Sequence, residues 1–198
     1  MIPVAPQPEP TGFDHRVRQP GLRWMQKKGI DIAQPLPSGT VLESYWRECL
    51  PELYHAYGGV CAFVSIHIPR TTGARSVEHF VAKSPEPSQA YEWSNFRLAC
   101  SKMNARKNIF DDVLDPFTLS PDTFQLNLFD GAIRVNPELS ANDQRAAQTT
   151  IDRLGLDDED CREDRREYFD DYCNNRDEAV LKRKAPFVWY EAKRQNLL

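Results

Sequence analysis

The sequence has no apolar run approaching the roughly 20 residues needed to cross a bilayer as a helix, which argues against a helical membrane protein. Its start lacks a charged stretch followed by an apolar one, so no secretory leader is expected and a soluble, cytoplasmic setting is. Cysteine is sparse: Cys49, Cys61, Cys100, Cys161 and Cys173 are odd in number and irregular in spacing. That excludes a disulfide framework and fits a reducing compartment. There is no internal repeat, and no helix-turn-helix, zinc finger or other base-reading module.

Positive charge is also in deficit, with a formal net charge of −4. Distribution matters more than the sum. Residues 60–110 carry Arg70, Arg75, Lys83, Arg97, Lys102, Arg106 and Lys107 against Glu78, Glu86 and Glu92, a local +4. Residues 157–178 carry eleven acids against four arginines, a local −7.

The chain divides into three stretches. Residues 1–40 hold seven of the fifteen prolines, and Pro3, Pro6, Pro8 and Pro10 suit an extended arm on the surface, with a partner- or DNA-binding arm as the alternative. Residues 41–57 read as a helix from the three- and four-residue recurrence of Tyr45, Trp46, Cys49, Leu50, Leu53, Tyr54 and Tyr57, a core stripe kinked or split at Pro51 and ended by Gly58-Gly59. Val60–Ile68 and Ser76–Val81 read as strands around a turn at Pro69–Ala74, followed by a loop over Lys83–Ala90 and a helix capped by Ser94 and running to about Asn108. Residues 41–112 would form the functional core. Residues 113–198 would add a hairpin turning at Asp130-Gly131, a helix capped by Ser140 and stopped by Gly155, and a solvated helix from about Asp160 to Lys182.

The chemistry concentrates in SVEHFVAKSPEPSQAYEWSNFRLACSKMNARKN, residues 76–108. Glu78 and His79 are adjacent on a predicted strand, so both serve one site only at a strand end or bend. Asn104 and Asn108 share a helix face. Phosphodiester hydrolysis needs a cation to neutralise developing charge, a base for the attacking water and something to orient that base. A carboxylate and an amide oxygen suit Mg²⁺ or Mn²⁺, and a neutral histidine is suited to take the proton near pH 7. Candidates for each role are present.

In order, Glu78, His79, Phe80, Lys83, Ser84, Tyr91, Trp93, Asn95, Cys100, Asn104 and Lys107 resemble the HNH, or ββα-metal, nucleases. Asp115-Pro116, the Asp130-Gly131 hairpin and the segment TTIDRLGL at 149–156 resemble one branch of that family. That branch includes the nuclease subunit of Septu antiphage systems and retron-associated effectors. The resemblance implies an α+β fold: a ββα-metal core with flanking helices and an accessory β-hairpin. Glu78, Asn104 and, as an additional ligand, Asn108 would hold one Mg²⁺ or Mn²⁺. His79 would be the general base, Asn95 would support the loop and orient the site, and Lys107 would contact phosphate or the helix end. Lys83, Arg97, Lys102 and Arg106 would contact nucleic acid. The implied substrate is double-stranded DNA, and the implied partner is an ATPase that gates cleavage in antiphage defence. An RNase and a non-catalytic binding module that keeps the fold are the competing readings.

The sequence departs from that family at two places. Many relatives frame this unit with paired Cys-x-x-Cys knuckles around a structural zinc. Here these read Cys61-Ala-Phe-Val64 and Cys100-Ser-Lys-Met103. Two thiolates make a poor tetrahedral site, His67 is oddly spaced as a third ligand, and Val64 and Met103 are expected to pack where zinc would sit. Structural zinc is therefore not expected.

Overall fold

The computed structural model describes residues 1–198. Seven α-helices and two small antiparallel sheets make an α+β fold, and no helix is long and apolar enough to cross a membrane. The first sheet pairs β1 (Arg75–His79) with β2 (Phe96–Cys100), with Val77 opposite Leu98 and His79 opposite Phe96. Backbone bonds from Ser101 to Ala74 and from Phe80 to Asn95 extend the pairing at both ends. The helix α3 (Ser101–Lys107) follows β2 without a loop, so a strand, strand, helix unit forms with β2, not the expected Val60–Ile68, as the partner of β1.

Two expected elements are corrected. Residues 94–100 are not the first turns of a helix: Trp93–Asn95 is a short 3₁₀ turn and β2 takes the next five residues. Both faces of β2 are buried, so the polar–apolar alternation that marks a half-exposed strand is missing. Val60–Ile68 is not a strand. It folds back on itself, with Cys61 N–H bonded to Ile66 O at 2.9 Å and Ile68 N–H to Gly59 O at 2.7 Å, around Ser65 at φ 57°. A β-branched composition there describes a tight, buried turn.

The proline-rich segment is also more than an arm. Its first ten residues lack regular secondary structure, but a π-helical turn at Asp14–Arg18 leads into α1 (Gln19–Lys27). Phe13 is fully buried, with ring centroids 5.6 Å from Trp93 and 5.9 Å from Phe96. Burial of such a ring stabilises the fold by about 1.5–3 kcal/mol, and here it does so directly beneath β2. A single apolar cluster runs from Met1 to Ala192 across all three stretches of the chain.

The helix expected over 41–57 splits as its proline dictates, into a 3₁₀ turn (Tyr45–Cys49) and α2 (Leu50–Ala56) with Pro51 in the first turn. The hairpin β3 (Phe124–Leu126) and β4 (Ile133–Val135) forms. At Gly131, φ is 71° and a Cβ would lie 2.1 Å from Arg162 O, so only glycine fits there. Ser140 caps α4 (Ala141–Leu154), accepting Asp143 N–H, and Gly155 ends it at φ 56°. The single solvated helix expected from Asp160 is instead α5 (Glu159–Asn175), broken at Arg176 with φ 55°. It is followed by α6 (Glu178–Lys184) and α7 (Pro186–Arg194).

Candidate active site

Glu78 and His79 end β1, and Asn104, Asn108 and Ser101 face them from α3. Together with Lys83 and Trp46 they line one open cleft of about 380 Å³. Adjacent residues can share this cleft because they stand where β1 stops and the chain turns away, at a place the alternation of an ideal strand would not allow.

Asn95 makes that turn rigid. Its Oδ1 accepts Val81 N–H at 2.7 Å, and its Nδ2 donates to Val81 O at 2.9 Å and to Gln89 O at 3.0 Å. Asn95 is itself buried. One amide side chain thus closes both ends of the loop over residues 81–89, the supporting role expected of it. A carboxylate here would lose both donated bonds.

His79 is buried between rings. Its centroid lies 4.8 Å from that of Trp46 and 5.1 Å from that of Phe96, both edge-to-face. Its Nε2 is 2.9 Å from Ala90 O. A carbonyl only accepts, so Nε2 carries the proton and Nδ1 is left as an unprotonated acceptor. Burial first, and the nearby Lys83 charge second, push its pKa down to about 3. The ring is therefore neutral at any physiological pH.

Glu78 is 2% exposed, and burial raises its pKa to about 7 against the opposing pull of Lys107. Lys107 Nζ lies 3.2 Å from Glu78 Oε1 and donates to His79 O at 3.4 Å, within 5.3 Å of the Phe80 ring centroid. Lys107 is entirely buried. Lys107, expected to contact phosphate or the helix end, instead turns its ammonium to the Glu78 carboxylate and to the end of β1 from within the protein. Asn104 is half-buried, and its side-chain amide makes no hydrogen bond within the chain. Asn108 caps α3 at φ 48° and is exposed at the lip of the cleft.

Of the four cations expected on nucleic acid, only Lys83 reaches the cleft, its Nζ 5.2 Å from the Trp46 ring centroid and its pKa lowered by burial. The other three are corrected. Arg97 is buried, donates to both oxygens of Asp115 at 2.8 and 2.7 Å, and lies 3.5 Å over the Phe117 ring. Lys102 pairs with Asp158 at 3.0 Å and Asp160 at 2.7 Å. Arg106 pairs with Asp158 at 2.6 Å and donates to Leu154 O at 2.8 Å. Each positive charge read as free is neutralised by an acid distant in sequence.

No known protein-family model and no curated protein matches this chain. The chemistry therefore has to be argued from the cleft itself. Glu78 is a buried carboxylate whose only close partner is one ammonium, so its ionised form is incompletely satisfied. A divalent cation shared with the free amide of Asn104 would complete it, and a carboxylate with an amide oxygen is a hard donor pair of the kind Mg²⁺ accepts. The donor set fits such a cation. No group of three or more histidine, cysteine or acidic side chains is arranged for one, so waters or substrate oxygens would fill the remaining positions.

The turn at Cys61 lies against the start of α3. Cys61 Sγ accepts Cys100 N–H at 3.4 Å, and the neighbouring Cys61 thiol holds Cys100 below the ordinary thiol range. Val64 and Met103 are both buried in the apolar cluster.

Trp46 was missed as a site residue. Its place in an aromatic stripe marks it as core, yet it is half-buried and forms one wall of the cleft. No periodicity separates a tryptophan under the core from one at its edge.

Proposed function

We propose that this chain is a metal-dependent phosphodiesterase of the HNH, or ββα-metal, class that cleaves nucleic acid, DNA being the favoured substrate. The observation that carries this reading is the convergence of Glu78, His79 and Asn104 on one cleft, from the end of β1 and the facing side of α3. A core of two antiparallel strands and a helix over residues 75–107 supports it.

The roles follow from the contacts. Ala90 O fixes the His79 tautomer, so Nδ1 receives the proton of the water that attacks phosphorus while the P–O ester bond breaks. The desolvated ring is a weak base on its own, and an entering phosphate anion raises its proton affinity. Lys83 supplies the positive charge at the mouth of the cleft. Glu78 and Asn104, with Asn108 at the lip, would hold the cation, Mg²⁺ or Mn²⁺, which when bound neutralises charge on the phosphate and the departing oxygen. Asn95 keeps the loop that carries Lys83 in place. On the resemblance alone we extend the reading to antiphage defence with a gating ATPase partner.

A second reading has one observation in its favour. The Lys107 ammonium already sits 3.2 Å from Glu78 Oε1, as it would in a binding module that had lost its metal. Plasmid cleavage separates the two. Nicking with Mg²⁺ or Mn²⁺ that stops in EDTA, and that falls at least a hundredfold in Glu78→Gln, supports the nuclease. No cleavage with either ion, or cleavage untouched by EDTA, sinks it.

A further inference from the structure

Tyr54 gathers a group of cations that meets no acid. Its ring is buried and anchored, the hydroxyl donating to Ile68 O at 2.7 Å and lying 3.1 Å from His67 Nε2. The Arg70 and Arg75 guanidinium groups lie 4.9 and 5.1 Å from the centroid of this one ring. Lys184 Nζ donates to His67 Nδ1 at 3.0 Å, reaching in from the end of α6. Arg183, Lys184 and Arg70 are all close enough for their charges to lower the His67 pKa, beneath the larger effect of burial. None of Arg70, Arg75, Arg183 and Lys184 forms an ion pair or donates a hydrogen bond to a carboxylate, although twelve ion pairs tie down other charges of the chain.

We infer that this Tyr54-centred surface is a binding site for the phosphodiester backbone of a nucleic acid, the track along which the polynucleotide reaches the cleft. This rests on the phosphodiesterase reading for the identity of the polyanion. Four unpaired cations held near one another repel, and a structure tolerates that most readily where a partner of opposite charge arrives. The aromatic ring holds both guanidinium groups within about 5 Å of its centroid, and guanidinium forks match phosphate oxygens. The placement also suits a continuous strand. Arg75 and His79 are on the same face of β1, four residues apart, or about 13 Å at roughly 3.3 Å per residue. At about 3.4 Å of rise per nucleotide step, that is about four steps from the proposed scissile phosphate. A duplex or an extended strand covers both sites at once, whereas a mononucleotide cannot.

The test uses a fluorescent 30-base-pair duplex in EDTA, so that binding is read without cleavage, over a series of salt concentrations. Arg70→Ala combined with Arg75→Ala is expected to weaken binding roughly tenfold and to lower the slope of log affinity against log salt by about 1.8, at about 0.9 per phosphate lost. Arg183→Glu, an exposed change that breaks no contact, should weaken binding in the same direction and guards against a folding artefact. Lys102→Ala combined with Arg106→Ala, charges already neutralised, should shift binding less than twofold. Wild-type affinity and slope in both patch variants would overturn the inference. So would equal competition by polyglutamate at matched charge, which would give the surface to an acidic protein. The two readings fail separately. Patch variants that bind like wild type in a protein that still cuts plasmid remove the track alone. A wild-type protein that never cuts, but whose patch variants lose duplex binding, removes the reaction and keeps the track.

Discussion

Arg97, Lys102 and Arg106 each meet a carboxylate within 3.0 Å, whereas Arg70, Arg75, Arg183 and Lys184 meet none. All of the first set and half of the second lie in the same basic stretch of sequence, where nothing local distinguishes them. The difference arises in the third dimension. The acid-rich start of α5 folds onto the outer face of α3, and Asp115 reaches back under β2, so the densest run of positive charge is neutralised from within. The face around Tyr54 receives no such visitor. A charge census along the chain measures supply, and only the fold shows which charges remain available to a partner.

The comparison can be broken most forcefully at the cleft. His79→Ala should lower cleavage by a factor of about 10²–10⁴, the usual contribution of a general base. Duplex binding in EDTA should stay unchanged, because the proposed site of binding is the unpaired cations and that of chemistry is Glu78, His79 and Asn104. A variant that loses both together would mean that the two surfaces are one.

The next effect is on stability. Arg97→Ala leaves Asp115 half-buried without its guanidinium partner and exposes a gap over Phe117. We expect a loss of about 3–5 kcal/mol, the cost of breaking a buried pair by removing one partner. Urea unfolding should show it, while the affinity of the folded variant for duplex at low temperature stays unchanged. An affinity loss as large as that of the Arg70/Arg75 variant would return Arg97 to the nucleic-acid set.

The smallest effect concerns the contact between α3 and α5. Burial alone would raise the Asp158 pKa, but hydrogen bonds from Cys161, Arg106 and Lys102 outweigh it and hold the carboxyl well below its ordinary range. A depressed folded-state value means that the stabilisation is fully present above the unfolded value of about 3.9 and is lost as pH falls through the folded value. The urea midpoint should therefore decline as pH drops below about 4. Asp158→Asn keeps an N-cap side chain and should flatten that decline. An unaltered pH slope in the variant would place the acid sensitivity elsewhere.

Part of this was legible in the sequence. The strand over Ser76–Val81, the hairpin at Asp130-Gly131, the Ser140 cap and the break at Pro51 all rest on local signals that survive folding: turn chemistry, capping and periodicity. What stayed hidden depends on partners far along the chain. β2 was masked because Arg97, a charged residue that would ordinarily mark an exposed position, is buried by Asp115. Lys102 and Arg106 read as free because Asp158 lies more than fifty residues away. Lys107 read as a surface cation because nothing nearby in sequence announces that its amine turns inward to Glu78. The turn at residues 61–66 was hidden by its own composition, since buried Val, Phe and Ile look alike in a strand and in a knuckle.

The opening segment sets a timetable for assembly. Gln7 donates its N–H to the Tyr57 hydroxyl and accepts from Trp93 Nε1, while Val4 N–H bonds to Pro116 O. The contact from Gln7 to Trp93 spans 86 residues, so at synthesis rates of about 5–20 residues per second Gln7 waits roughly 4–17 s for its partner. Phe13 waits almost as long for Trp93 and Phe96. Non-local closures of this kind slow folding, and this one leaves a bulky aromatic uncovered on the nascent chain until β2 has been made. The cleft between β1 and α3 therefore comes together late, after its own foundation has spent seconds in water.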